Sequence, residues 1–275
     1  MRHPRAVART TGALLILVLF LLPVLYVLMM AFESPAHFLR SPMTPPASPD
    51  ISNFGQAWAG ADLATELVNT IIYSVAAAGI ATVLALLIAF PIARRLIRRS
   101  SALYGFLVIG LFLPASFIPL FIEAHWLHLW DSRIGYILLH VPMPGLPSLS
   151  LGVLLLTAFI SSVPAELDEA AWMDGVSYLR YLARVVVPLT RPALLIAFLY
   201  GMLNVWNDII GPVVLLTTPS LFPVTRGIYN FYGSNQSQWT VLAAGIVIVS
   251  LPLVLLFVIS QRQLIKAAVA GSVKG

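Results

Sequence analysis

The residues whose types and spacing could do chemistry fall in three places. The first is Ser162-Val163-Pro164-Ala165-Glu166-Leu167-Asp168-Glu169-Ala170-Ala171-Trp172-Met173-Asp174-Gly175, continuing through Arg180 and Arg184 to Val185-Val186-Val187-Pro188. Pro164 suits a first helical turn. Glu166, Asp168 and Glu169 then sit near the positive end of a helix dipole. Gly175 can take the left-handed conformation that ends a helix. The stretch reads as a short helix, a turn and a second helix: a docking surface, or more plainly an interfacial helix. The second place is Trp206-Asn207-Asp208, with Asn204 and Tyr200 about one and two helical turns before Asp208. An acid inside an apolar run faces a bundle interior or water. Asp208 therefore lines a pathway or gate, or makes a structural hydrogen bond near the outer end of its helix. The third is His125 and His128, three apart, which a helix would put on one face. Two ligands with no third make a poor zinc site, and the histidines read as polar rim residues of an extracytoplasmic loop. With no cysteine, a disulfide, a thiolate metal site and a thiol nucleophile are all excluded.

The elements that must position these residues are membrane helices. The composition is 59% hydrophobic and 10% charged, against about 25% charged in soluble domains. Gly12–Phe32 carries no charge and spans ~31 Å as a helix, about one hydrocarbon core. Further runs are Leu67–Ala93, Ser100–Ile122, Ile134–Ala165, Pro192–Leu216 with Asp208 inside it, and Trp239–Ser260. In the fourth run Pro142, Pro144, Gly145 and Pro147 interrupt, so its membrane helix starts near Leu146, after a loop or half-helix. Between the first two runs, Pro35, Pro42, Pro45, Pro46 and Pro49 break any helix. The first run is longer than a signal-peptide core and no A-x-A site follows, so it reads as a retained helix. A barrel would show short alternating segments instead.

Thirteen basic residues fall on one side of these runs: Arg2, Arg5, Arg9, Arg94, Arg95, Arg98, Arg99, Arg180, Arg184, Arg191, Arg262, Lys266 and Lys274. Arg40, Arg133 and Arg226 complete the total of 16 on the other. The bias puts both termini in the cytoplasm. Arginines at run ends are membrane anchors more simply than a nucleic-acid patch. The expected fold is all-α and polytopic, with six transmembrane helices.

Glu169-Ala170-Ala171, three residues, Gly175, nine residues, then Val185-x-Val187-Pro188 resembles the EAA signature of binding-protein-dependent ABC importer permeases of type I. Asp174 is common in the sugar branch. Asn69-Thr70-Ile71-Ile72-Tyr73-Ser74, Trp206-Asn207-Asp208 and the tail Ala270-Gly271-Ser272-Val273-Lys274-Gly275 are similar to the smaller permease of the maltose-transporter-like group. The resemblance runs from about Gly12 to Gly275. Trp172 departs from a frequently basic position, and the Pro142–Pro147 insertion lengthens the fourth-helix region.

The resemblance implies residues 1–66 as an N-terminal helix and extracytoplasmic loop. Residues 67–262 form the transmembrane core, with a coupling loop at 162–190, and residues 263–275 a cytoplasmic tail. It implies a permease subunit of a sugar importer in the bacterial inner membrane. Its partners are a second permease, two ATPase subunits and an extracytoplasmic sugar-binding protein. Glu169, Ala170, Ala171, Asp174, Gly175 and Pro188 would couple to the ATPase. Tyr200, Asn204, Trp206, Asn207 and Asp208 would line the pathway, where a sugar favours aromatic faces beside hydrogen-bonding groups. The chain lacks a G-x-x-x-x-G-K-[ST] phosphate loop, so ATP and Mg belong to the partner ATPase and no cofactor to this chain. The alternatives are a non-sugar ABC permease and an ATP-independent secondary transporter, which would need inverted repeats and ion-coupling carboxylates.

Overall fold

The apolar runs become helices, as backbone groups in hydrocarbon require. A computed structural model describes residues 4–46, 48–60, 62–142, 148–233 and 238–272. Its helices are α1 (Pro4–Ala31), α2 (Pro35–Arg40), α3 (Ser52–Gly60), α4 (Leu63–Ala93), α5 (Ser100–Gly110), α6 (Phe117–Trp126) and α7 (Arg133–His140). They continue as α8 (Ser148–Ser161), α9 (Glu166–Met173), α10 (Tyr178–Tyr181), α11 (Val187–Trp206), α12 (Ile210–Leu215), α13 (Val224–Gly233) and α14 (Trp239–Ser272). No strand occurs among the described residues.

Among the described residues, four segments are long and apolar enough to cross a bilayer: Arg9–Ala31, Leu63–Ala93, Tyr178–Trp206 and Trp239–Arg262. The pair α8 and α9, bent by 84°, passes the same test jointly, and α5 is a shorter apolar helix. The chain is therefore an all-α polytopic membrane protein, and the expected six crossings are compatible with these lengths.

Three expectations change in detail. The run Ser100–Ile122 is divided, because Pro114 cannot donate to a helix and pushes Leu113 out of helical conformation; α5 ends at Gly110 and α6 begins at Phe117. The run Pro192–Leu216 breaks after Trp206, so Asp208 lies at the corner between α11 and α12 and not inside a helix. The proline-rich segment after α1 holds two short helices, since Pro35 occupies a first-turn position behind the Ser34 cap and α3 starts beyond Pro49. The half-helix expected before the fourth span is α7, whereas residues 143–147 lie outside the described residues. So do residues 273–275 of the tail.

The chain forms two compact units, Met1–Leu67 with Arg226–Leu256, and Val68–Thr225 with Phe257–Gly275. In the first unit, Asn53 Nδ2 donates to the carbonyls of Ala31 at 3.0 Å and Glu33 at 2.8 Å, and Thr240 Oγ1 donates to Asn53 Oδ1 at 3.2 Å. This polar tie joins the end of α1 to α3 and α14. In the second unit, Ala85, Leu86, Phe90, Val153, Leu156 and Ile160 pack a core between α4 and α8. Small residues let these helices approach closely: a Cβ added to Gly152 would lie 2.9 Å from Ala85 Cβ.

The second unit also closes a corner outside the membrane helices. Asp131, at φ 49°, accepts from Thr217 N at 2.8 Å, Thr218 N at 3.0 Å and Thr218 Oγ1 at 2.6 Å. Partial burial pushes the Asp131 carboxyl up, but the bonds from Thr218 and Thr217 outweigh it and hold it at about 2, below the ordinary 3.8. A depressed carboxyl contributes stability above its unfolded value and loses it as pH falls through the folded one. The corner is thus expected to hold above about pH 4 and loosen toward about pH 2. Asp131→Ala should cost about 1 kcal/mol and abolish the acid dependence. Amide hydrogen exchange at Thr217 and Thr218 reads both effects; equal protection in variant and wild type would refute the assignment.

Candidate functional site

The loop between α8 and α11 carries the candidate coupling residues. Ser161 ends α8, Pro164 follows, and α9 leaves at 84° to it. Of the three acids in α9, Asp168 is buried, while Glu166 and Glu169 are exposed. Ala170 is exposed and Ala171 half-buried against the core formed by α4, α8 and the start of α11. The outward surface is partly apolar: Leu167 is 42%, Trp172 53% and Met173 89% exposed. Asp174 is exposed and follows α9 as its C-cap. Gly175 sits at φ 68° with nothing within 4 Å of an added Cβ, so its glycine is required by backbone conformation and not by space. After it come α10, a π-helical turn at Leu182–Val186, and Pro188 near the start of α11. π-turns inside helices occur often at functional sites.

What the sequence did not disclose is how α9 is held. Arg94, just beyond α4, places Nε 2.6 Å from Asp168 Oδ2 and a terminal nitrogen 3.4 Å from Oδ1. Its other terminal nitrogen donates to the Val163 carbonyl at 2.9 Å. The Tyr181 hydroxyl donates to Asp168 Oδ1. Arg94 was legible as one of four anchoring arginines and Asp168 as one of three dipole-facing acids; no local pattern joins residues so far apart in sequence.

At the α11–α12 corner Asp208 is buried. It accepts from His140 Nε2 at 2.8 Å, the Tyr136 hydroxyl at 3.3 Å and Gly211 N at 3.0 Å. Its carbonyl accepts from Thr225 Oγ1 at 2.7 Å. His140, which no sequence pattern singles out, is 1% exposed and packs its ring on Tyr136. Beside this cluster lies an open groove of about 610 Å³ edged by Phe117, Tyr200, Leu203, Asn204, Asn207 and Asp208. Asn204 and Asn207 donate back to the carbonyls of Tyr200 and Leu203. Trp206 is turned inward, 2% exposed, and its Nε1 has no hydrogen-bond partner among the described residues. His125 and His128 gather no third ligand among the described residues; His125 stacks between Phe121 and Trp130.

Comparison with known proteins agrees with this architecture. Residues 81–268 match the family of binding-protein-dependent transport system inner membrane components. The chain is 30% identical to a diacetylchitobiose uptake system permease protein of Streptomyces coelicolor over 98% of this chain and 88% of that one. It is 29% identical to a trehalose transport system permease protein of Mycobacterium tuberculosis, covering 93% of each. Its fold is similar to a chain of a bacterial ABC transporter that imports the polysaccharide alginate, with TM-score 0.79 and 23% identity over 95% of this chain and 98% of that one. With the family matched across most of its length, this all-α chain belongs to the inner membrane components of binding-protein-dependent transport systems.

Proposed function

We propose that this chain is a permease subunit of an ATP-driven sugar importer in a bacterial inner membrane, with both termini cytoplasmic. A second permease completes the pathway, two ATPase subunits bind ATP and Mg, and an external sugar-binding protein delivers substrate. The carrying observation is the E-A-A…G…P spacing folded as an exposed two-turn helix with Gly175 at φ 68°. The sugar assignment is supported by the names of relatives that take up diacetylchitobiose and trehalose. The groove edged by Tyr200, Asn204, Asn207 and Asp208 offers an aromatic face and hydrogen-bonding groups to such a substrate.

In this reading α9 seats in a hollow of the ATPase. Glu169 offers a charge-assisted contact, Ala170 permits close approach, Ala171 seats the helix on this chain's own core, and Asp174 and Gly175 end the helix cleanly before Pro188 restarts α11. ATPase closure displaces α9, and the membrane helices alternate between inward-open and outward-open states. Losing a charged contact at a partly buried interface costs on the order of 2–5 kcal/mol. Glu169→Lys is therefore expected to reduce ATPase co-purification and sugar uptake by at least about tenfold, with the permease still inserted. Gly175→Asp, strained at positive φ, should act in the same direction. Wild-type association and uptake in both variants would overturn the coupling role of this loop.

A further inference from the structure

We propose that Arg94, Asp168 and Tyr181 are positioning residues of the transport cycle: they make α9 move as one body with the cytoplasmic end of α4 and the start of α10–α11. The proposal rests on the reading of α9 as the ATPase contact and adds the linkage by which its displacement enters the membrane.

An eight-residue helix is too short to hold its own structure or direction in water. The link from α8 gives it no rigidity, since four residues containing Pro164 separate the two at a bend of 84°. The orientation of α9 is therefore set by what grips its inner face. That grip is polar and directional. Arg94 donates with both terminal nitrogens, one to Asp168 Oδ1 and the other to the Val163 carbonyl in the α8–α9 link, while its Nε lies 2.6 Å from Asp168 Oδ2 as an ion-pair contact. The planar fork fixes both distance and angle. Tyr181, beyond the Gly175 turn, closes on the same carboxylate. Three segments thus converge on Asp168, whose side chain is 5% exposed, with Arg94 at 10%.

Asp168 and Glu169 are adjacent, so their side chains leave the helix about 100° apart. One faces the chain's own core and the other faces outward. A push on the outward face is therefore opposed at the next residue by a bond to α4. Apolar packing alone resists separation but permits sliding, because it has no directional preference; a forked ion pair resists both. The Tyr181 arm enters α11 through the π-turn Leu182–Val186, so the same displacement reaches the helix that edges the groove.

The test uses the assembled complex of this permease with its sister subunit and ATPase, co-expressed, purified and reconstituted in proteoliposomes. Arg94→Lys keeps the charge and removes the fork; Asp168→Asn removes the charge and keeps the shape; Glu169→Lys is run in parallel. Both clamp variants are expected to retain ATPase co-purification within about twofold, while sugar uptake per ATP hydrolysed falls about tenfold. This chain has no cysteine, so with any cysteines of the partner subunits replaced by serine, spin labels at Leu96→Cys, just beyond α4, and Met173→Cys in α9 report the distance between these two segments. That distance should be narrowly distributed in wild type and broad in the clamp variants. Unchanged uptake per ATP and an unchanged distance distribution would overturn the proposal. So would loss of the ATPase in step with uptake, as in Glu169→Lys, which would make the pair part of the docking face. Failure of both clamp variants to accumulate in the membrane would assign the pair to folding and equally overturn it. If wild type itself fails to carry an ATPase through purification, the reading of α9 fails, a result separate from the label distances.

Discussion

Asp208→Ala is expected to lower the thermal stability and membrane accumulation of the chain, and to lose transport mainly as a consequence. The carboxylate is the common acceptor of three donors: His140 Nε2, the Tyr136 hydroxyl and Gly211 N. His140 and Asp208 side chains are 0% and 4% exposed, so water does not replace the lost partner. Removing one member of a buried pair leaves the other's desolvation unrepaid, which costs about 3 kcal/mol. Asp208→Asn separates anchoring from charge. Both ring nitrogens of His140 face acceptors, the Tyr136 carbonyl at 2.7 Å and Asp208. An asparagine amide fits the same positions with its nitrogen at Oδ2, donating one hydrogen to Nε2 and the other to the Tyr136 hydroxyl, which turns to accept, while its oxygen still accepts from Gly211. Asp208→Asn should therefore remain within about 1 kcal/mol of wild type and accumulate normally. If Asp208→Ala melts and accumulates as wild type does but transports nothing, the residue acts on the substrate and not as the anchor of the corner.

That anchoring role marks where the sequence ceased to be legible. Continuous apolar runs disclosed α1, α4 and α14, because a membrane span is a local property of about twenty residues. The short helix α9 and the turn that ends it were legible for the same reason: the spacing, the dipole-facing acids and the terminal glycine are local. The division of the third run was readable in principle from Pro114, but the apolar run on either side outweighed it. The pairs that hold the site together were not legible. Arg94 and Asp168 are 74 residues apart, and His140 and Asp208 are 68 apart. In sequence, none of the four announces its partner: one is a basic anchor, one an N-terminal acid, one a histidine in no motif, one a lone intramembrane acid. Only the folded chain shows which acid turns inward: of Asp168 and Glu169, neighbours of like charge, the first is buried and the second exposed.

Gly135→Ala is expected to be the most damaging single-methyl change in this chain's outer corner. Gly135 opens α7, and its amide donates to Ser132 Oγ at 3.0 Å while that hydroxyl donates to the Leu129 carbonyl at 2.8 Å. The turn before it is wound tightly, with His128 at φ 54° and Asp131 at φ 49°. A Cβ on residue 135 would fall 1.8 Å from the Leu129 carbonyl oxygen and 2.7 Å from its carbon. Both obstacles are backbone, so no rotamer change relieves them; either the Leu129 peptide turns and abandons Ser132, or α7 moves away. The second course carries Tyr136 and His140 off Asp208, because all three meet within one hydrogen-bonded cluster. Overpacking that must displace backbone costs about 3 kcal/mol, and here the displacement also strains the buried pair. Gly105→Ala in α5 is the control, since nothing lies within 4 Å of its added Cβ; a helical glycine replaced by alanine gains about 0.5–1 kcal/mol. Thermal melting of the purified permease in detergent should move in opposite directions for the two variants. A Gly135→Ala protein that melts with wild type would mean the corner yields freely, and that the α7 position does not govern the His140–Asp208 contact.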